Sequence, residues 1–352
     1  MNVTRESIFI SAIRAFCVCL CAILGILVAV FIVMLVVSLF SNPITLPSKP
    51  NITIAPDAEG RRALLPETAP VLLRLDMHGI VGQGDLAYNR VEELLLDSRE
   101  DLFRNNRVRG ILLHMDTPGG FASDSEVIYR LIKGYKEKYA VPVYVYVEGM
   151  CASGGMYIAA AADRIYANPE SIIGSIGVRL GPIFNVSDLM DRIGISSVTI
   201  ISGKDKDALN PFRAWREGED KSWRDINADL YERFVSIMVA GRPNLSREKL
   251  INEYGAQVYV SEVAQKIGMI DVANSNYEEA LADLARAAGI DEKTKYQVVQ
   301  LATPRSFFNQ LSESKLSLLS GKVTHVFPLG ANMTSEMCGK FLYLYEPALS
   351  SQ

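Results

Sequence analysis

The stretch from Val141 to Val178, VPVYVYVEGMCASGGMYIAAAADRIYANPESIIGSIGV, constrains the fold more than any other part of the chain. Val141 to Val147 alternates β-branched and aromatic residues with period 2, the pattern of a strand buried in a sheet. The run stops at Glu148-Gly149. After Met150, Cys151 and Ala152 come Ser153-Gly154-Gly155 and the small apolar segment Met156 to Ala162, which reads as a closely packed helix. Ser153 therefore stands at a strand-to-helix turn. There the unpaired N–H groups of a helix N-terminus and the helix dipole favour developing negative charge, so its hydroxyl is a candidate nucleophile.

The segments before it repeat the same alternation of elements. Val71–Val81 (VLLRLDMHGIV) has strand periodicity, Leu86–Phe103 has helical spacing, and Val108–His114 returns to a strand. Asp116-Thr117-Pro118-Gly119-Gly120 then leads into a helix with apolar positions at Val127, Ile128, Leu131, Ile132 and Tyr135. Strand, helix, strand, helix, strand predicts parallel strands covered by helices, an α/β architecture. Further on, Arg164–Ala167 and Ser196–Ile201 read as short strands, and Asp188–Ile193, Asp220–Ala240, Ser261–Ile267 and Tyr277–Ala288 as helices. The stretch from about Lys293 to Gln352 is mixed in pattern.

Ahead of this domain lies AFCVCLCAILGILVAVFIVMLVVSLF, Ala15–Phe40, 26 consecutive residues without a charge. That exceeds the roughly 20 needed to cross a bilayer and the ~7–15 of a cleaved signal peptide core. It predicts an uncut anchor at 15–40, preceded by a short cytoplasmic N-terminus at 1–14. Arg5 and Arg14 before it, against Lys49 close behind, place the remainder on the extracytoplasmic side. Residues 41–70 carry six of the chain's fifteen prolines and read as an extended tether.

Composition narrows the chemistry. A net charge of −4 with no basic cluster excludes a nucleic-acid footprint. Cys17, Cys19 and Cys21 fall inside the apolar run, and Cys151 and Cys338 stand alone, so no disulfide framework or metal spacing appears. With three histidines and no HExxH, zinc hydrolysis is not indicated, and no cofactor is called for.

The corners at Pro118-Gly119-Gly120 and Ser153-Gly154-Gly155 both follow strands, so a parallel sheet puts them on one carboxyl edge, where such folds bind ligands. Backbone N–H groups from Gly119, Gly120 or Phe121 and from Gly154 can form an oxyanion hole, since glycine lets the backbone approach a substrate closely. The serine needs a base. His114 is the conventional candidate but lies mid-strand, His78 lies in the first strand and His325 in the ambiguous tail. A lysine can serve if burial lowers its pKa from about 10.4, but the residues alone do not select one.

Three motifs in order, DTPGG, CASGGMYIAAAADRIYANPESIIGSIGV and ISGKDKDALNPF, closely resemble the signal peptide peptidase SppA family of membrane-anchored serine proteases, over roughly Val71 to Ile290. The resemblance implies a ClpP/crotonase-like fold and a Ser-Lys dyad. Carried over position by position, the nucleophile falls on Ser153, the lysine base on Lys206 rather than Lys204, and the serine that orients the lysine on Ser175. Gly119 and Gly120 take the oxyanion and substrate-strand role with Gly154, and Asp116 leads into that corner. Met156 stands where an aromatic is common, and Thr117 where a serine is frequent; neither is expected to touch the chemistry. The chain carries one protease module, at 71–290, followed by a C-terminal extension at 291–352 of unassigned role. Single-module relatives form rings that build each site from neighbouring subunits. The resemblance therefore implies a homo-oligomer, as in an octameric dome, that hydrolyses cleaved signal peptides and other short hydrophobic peptides without a cofactor. A branch acting on misfolded or specific membrane proteins, a hydratase on the same fold, and an idle ring scaffold are the alternatives. The anchor and the ASGG serine argue against the hydratase.

Overall fold

The computed structural model describes residues 8–40, 50–291, 293–302 and 340–345. They fall into two units, residues 1–48 and 49–352. The described residues of the first form one helix, α1 (Ile8–Phe40), in which the 22 residues Ala12–Val33 are apolar and long enough to cross a membrane, with none of that span buried in protein.

The second unit is an α/β domain. Its strands are β1 (Asn51–Ala55), β2 (Val71–His78), β3 (Val108–Thr117), β4 (Gly119–Phe121), β5 (Val143–Ala152), β6 (Arg164–Ala167), β7 (Ile172–Gly174), β8 (Val258–Val260), β9 (Gln297–Ala302) and β10 (Leu342–Leu344). Its helices are α2 (Tyr88–Asp97), α3 (Ala122–Tyr139), α4 (Gly154–Ala159), α5 (Ser187–Arg192), α6 (Lys221–Gly241), α7 (Arg247–Lys249), α8 (Ser261–Lys266) and α9 (Tyr277–Ala287). The main sheet runs β1-β9-β2-β3-β5-β7-β8, with β6 also paired to β5, and β10 pairs with β4 apart from it. The pairs β9·β2, β2·β3, β3·β5, β5·β6 and β5·β7 are parallel.

Alternation along the central strands sorts side chains between two cores. Ile111, Leu113 and Met115 of β3 and Val143, Val145 and Val147 of β5 face α3, α4 and α6, and all are buried. Leu112 and Tyr144 with Tyr146 face the opposite side, where Ala280, Leu281 and Leu284 of α9 cover them. Both faces are thus closed to water, as parallel sheets require.

The sheet extends beyond the boundaries that the sequence suggests. Part of the proline-rich 41–70 segment is built into it: β1 pairs antiparallel with β9 from Asn51↔Ala302 to Ala55↔Val298. Prolines bracket β1 at Pro50 and Pro56 rather than interrupting it, which leaves its amides free to pair. The extension at 291–352 likewise contributes β9 to it, and β10 to the separate pair with β4. Conversely, Ser196–Ile201 is not a strand. It is an exposed irregular segment whose Val198 and Ile200 are 88% and 94% exposed. Among the described residues its alternating apolar residues have no sheet neighbour. Cys338 and His325 lie outside the described residues.

Candidate active site

The two halves of β5 have different neighbours. Tyr144 to Val147 pair with β6, and Met150 to Ala152 pair with β7. The second half carries the chain to Ser153, which caps α4 at φ 53° and ψ −113° and is 1% exposed. A non-glycine residue in that conformation is strained, and such strain clusters at functional sites. The Ser153 amide donates to the Gly174 carbonyl at 2.8 Å, and the Ser153 carbonyl accepts from Tyr157 at 3.1 Å. Among the described residues its hydroxyl has no hydrogen-bond partner. Ser175 leaves β7 one residue beyond Gly174, also at positive φ (55°), with its amide donating to Gln257 O at 2.7 Å. Ser153 and Ser175 therefore stand side by side at the carboxyl edge.

The glycine corner closes on the same place. A Cβ on Gly119, at φ +92°, would stand 2.6 Å from the Gly154 nitrogen and 3.0 Å from the Ala152 carbonyl. A Cβ on Gly154 would stand 2.5 Å from Ser125 Oγ and 3.3 Å from Gly119 Cα. Only glycine fits this approach. The two N–H groups of the corner differ: that of Gly119 donates to Thr117 Oγ1 at 3.1 Å, while Gly120 lies in β4 opposite Tyr343 of β10. Thr117 also donates its hydroxyl to Gly79 O at 2.6 Å. Thr117 thus shapes the corner directly. Asp116 steadies the neighbouring turn by accepting from the Met150 amide at 2.9 Å.

No histidine among the described residues serves Ser153. His114 is buried on the α9 face, opposite α4, against Tyr146 and Tyr277 and within 2.8 Å (Nδ1) of His78 Nε2. Burial, reinforced by the Arg74 guanidinium, lowers its pKa to about 4. Asp76, His78 and His114 bring possible metal-ligand atoms within 4.8 Å of one another. Arg74 already fills that space, with Nε 2.7 Å from Asp76 Oδ1 and Nη2 3.3 Å from His114 Nδ1, so its charge stands where a cation would sit. Cys151, one residue before Ala152, is fully buried, and desolvation raises its thiol pKa far above neutrality.

Lys206 is not brought to the serines within the chain. It lies on an arm, residues 191–206, that is exposed throughout. The arm ends in an ion-pair network: Asp207 accepts from Arg213 Nε and Arg216 Nη2, both at 2.8 Å, and Arg213 Nη2 also reaches Glu219 Oε2 at 2.7 Å. Hydrogen bonding from Arg213 lowers the pKa of both carboxylates. Lys206 is thereby carried beside a held residue while its own side chain faces solvent. Asp207 was legible only as part of the lysine motif.

The C-terminal extension, whose role the sequence leaves unassigned, supplies one more resident of the site. β10, from the C-terminal stretch Phe341-Leu342-Tyr343-Leu344-Tyr345, lies antiparallel on β4 with Tyr343 opposite Gly120. Its alternating apolar residues are a strand signal. The signal is short and names no partner.

With this geometry in view, the sequence matches peptidase family S49 over residues 136–291. A candidate protease of Methanocaldococcus jannaschii is 36% identical over 191 residues, 54% of this chain and 60% of that one. A candidate signal peptide peptidase SppA of Enterococcus faecium is 28% identical over 63% of this chain and 65% of its own. A candidate protease of Synechocystis is 33% identical over 57% of this chain and 71% of its own. The chain belongs to peptidase family S49, the SppA family. It spans somewhat less than two thirds of the first two of these relatives. Among solved structures, ClpP1 of Listeria monocytogenes is 16% identical over 59% of this chain and 94% of its own, with a TM-score of 0.39.

Proposed function

We propose that the chain is a membrane-anchored serine endopeptidase with a Ser-Lys dyad. Ser153 Oγ attacks a peptide carbonyl whose oxygen is received by the N–H groups of Gly120 and Gly154. Lys206, in its neutral form, takes the serine proton and returns it to the leaving amine, and Ser175 orients the ammonium. Water activated by the same lysine then hydrolyses the acyl-enzyme. The observation that carries this reading is the convergence at one sheet edge of a strained, buried Ser153, the adjacent Ser175 and the Gly119–Gly154 approach. Preorganised donors of this kind contribute on the order of 2.7–4 kcal/mol each to the transition state.

The exposed arm supports a site completed by a second copy. Ile193, Ile195, Val198 and Ile200 are exposed along it, and an apolar run of this sort on a folded chain marks an interaction surface. In a ring of copies, Lys206 of one subunit would serve Ser153 of the next. The apolar span of α1 supports attachment to a bilayer, with the catalytic unit on the extracytoplasmic side of the cell membrane. The SppA relative supports cleaved signal peptides and other short hydrophobic peptides as substrates.

Fluorophosphonate labelling of the full chain in detergent, read by intact mass beside oligomer size, tests the reading. One adduct, lost in Ser153→Ala and in Lys206→Ala and formed only by the oligomer, is expected. Labelling that survives Lys206→Ala would show that the base is another group.

A further inference from the structure

Asp207, the residue after Lys206, is gripped at both carboxylate oxygens and at its carbonyl. Arg213 Nε donates to Oδ2 and Arg216 Nη2 to Oδ1, each at 2.8 Å, and Arg213 Nη2 donates to the Asp207 carbonyl, also at 2.8 Å. The same Nη2 reaches Glu219 Oε2 at 2.7 Å, and Arg213 Nη1 reaches the Ala214 carbonyl at 2.9 Å. A planar guanidinium can fix several acceptors at once, which a lysine ammonium on its flexible stem does less well. Arg213 is itself tied down. Asn185 Nδ2 donates to its carbonyl at 2.8 Å, and Asn185 Oδ1 accepts from the Ser187 amide, where α5 begins, at 2.9 Å. A continuous series of bonds thus runs from α5 through Arg213 to the backbone of Asp207.

The turn held in this way is not one the backbone adopts freely. Asp205 and Leu209 stand at φ 57° and 59°, on either side of Lys206. Left-handed residues other than glycine persist where their surroundings over-determine them. Two turn bonds, Ala208 N to Asp205 O and Asn210 N to Asp207 O, both at 3.0 Å, share that task with Arg213. As a source of stability the network is poorly built. The Arg213 and Arg216 side chains are 25% and 55% exposed, and ion pairs so open to water contribute little. Glu219 is buried, so its desolvation offsets its attraction to Arg213, and its Oε1 has no hydrogen bond among the described residues.

We propose that Arg213 is a positioning residue for the Lys206 base: by gripping Asp207 at carboxylate and carbonyl together, it sets the direction in which the turn presents the lysine to the serine. The proposal rests on the Ser-Lys reading above. Arg213 touches neither the substrate nor the reacting atoms. Its removal leaves both members of the dyad in the chain and frees the turn that carries one of them.

The test uses the full chain in detergent, with fluorophosphonate labelling and turnover of an internally quenched peptide of alanine and leucine as readouts. Arg213→Ala is expected to lower kcat and the labelling rate by roughly 10–100-fold, the cost of a misplaced group, with KM within about twofold. Oligomer size and the urea midpoint should stay at their wild-type values. Arg213→Lys, which keeps the charge without the fork, should recover only part of the loss. If Arg213→Ala does not assemble, Asp207→Asn, of nearly the same size, must show the fall in kcat instead. Mixed assemblies add a readout that general damage to the fold would not move. In a mixture of Ser153→Ala and Lys206→Ala chains, adding Arg213→Ala to the chain that supplies the lysine should abolish complementation, and adding it to the other chain should not. Wild-type kcat, a loss that follows oligomer size or unfolding midpoint, or equal loss from either chain of the mixture overturns the positioning role. With Lys206→Ala inactive, each of those outcomes leaves the dyad standing. Labelling and cleavage that survive Lys206→Ala overturn the two together.

Discussion

The Ser153 amide donates to the Gly174 carbonyl at 2.8 Å, so Ser153 and Ser175 leave adjacent parallel strands at the same level. Strands in a sheet lie about 4.8 Å apart, which keeps the two hydroxyl-bearing residues within reach of one shared partner. Both sit at positive φ, 53° and 55°, so both turn sharply off the sheet edge.

Ser153→Ala is expected to abolish peptide turnover, by roughly 10³-fold or more, because it removes the nucleophile. Ser175→Ala is expected to lower kcat less, by about 10–100-fold, with KM nearly unchanged, since it acts through the lysine's orientation. Steady-state kinetics on both variants separates the roles. Equal losses in the two would place Ser175 at the bond-making step.

If the site is shared, two inactive chains should complement one another. Ser153→Ala and Lys206→Ala, mixed before assembly, should regain roughly a quarter of wild-type activity, because random mixing pairs an intact serine with an intact lysine at that fraction of interfaces. Mixtures that stay inactive while co-assembling would show that each chain supplies both groups.

Thr117 holds the Gly119 N–H and donates to Gly79 O. Thr117→Val keeps the shape and leaves both groups without that partner. Unfolding in urea should show a loss of about 1–3 kcal/mol. Because Gly119 shares the corner with Gly120, kcat/KM should fall alongside stability. A variant as stable and active as wild type would remove Thr117 from the site.

His114 supplies a pH test of the opposite sheet face. Its pKa is lowered from 6.5 to about 4, first by burial and then by Arg74, so the fold holds it neutral where the unfolded chain already binds a proton. Stability from this group is complete above about pH 6.5, declines as pH falls toward 4, and changes no further below that. The decline between pH 6.5 and 5 amounts to about 2 kcal/mol. His114→Gln should lose less stability than wild type over that interval, read by chemical unfolding at each pH. Parallel curves for the two proteins would show that His114 does not titrate as its surroundings imply.

What could be read from the sequence was local. The alternation at Val143–Val147, the glycines after Ser153 and the helical spacing of α3, α6 and α9 depend on backbone preference and burial of one face, which a few neighbouring residues decide. The placement of Ser153 at a strand-to-helix turn, and of Gly119 and Gly154 at one sheet edge, followed from the order of those elements. The motif resemblance then singled out Ser175 and Lys206, which no periodicity distinguishes.

Tertiary structure decided the rest, because pairing partners far apart in the chain have no local signature. Asn51–Ala55 looks like tether until Gln297–Ala302 offers it an edge, and Leu342–Leu344 is an ordinary apolar alternation until β4 and Arg179 receive it from both sides. Ser196–Ile201 shows the converse: its alternation reads as a strand, yet a strand exists only where a neighbour supplies hydrogen bonds, and among the described residues none does. The residues carry the pattern, and only the assembled sheet determines which patterns find an edge.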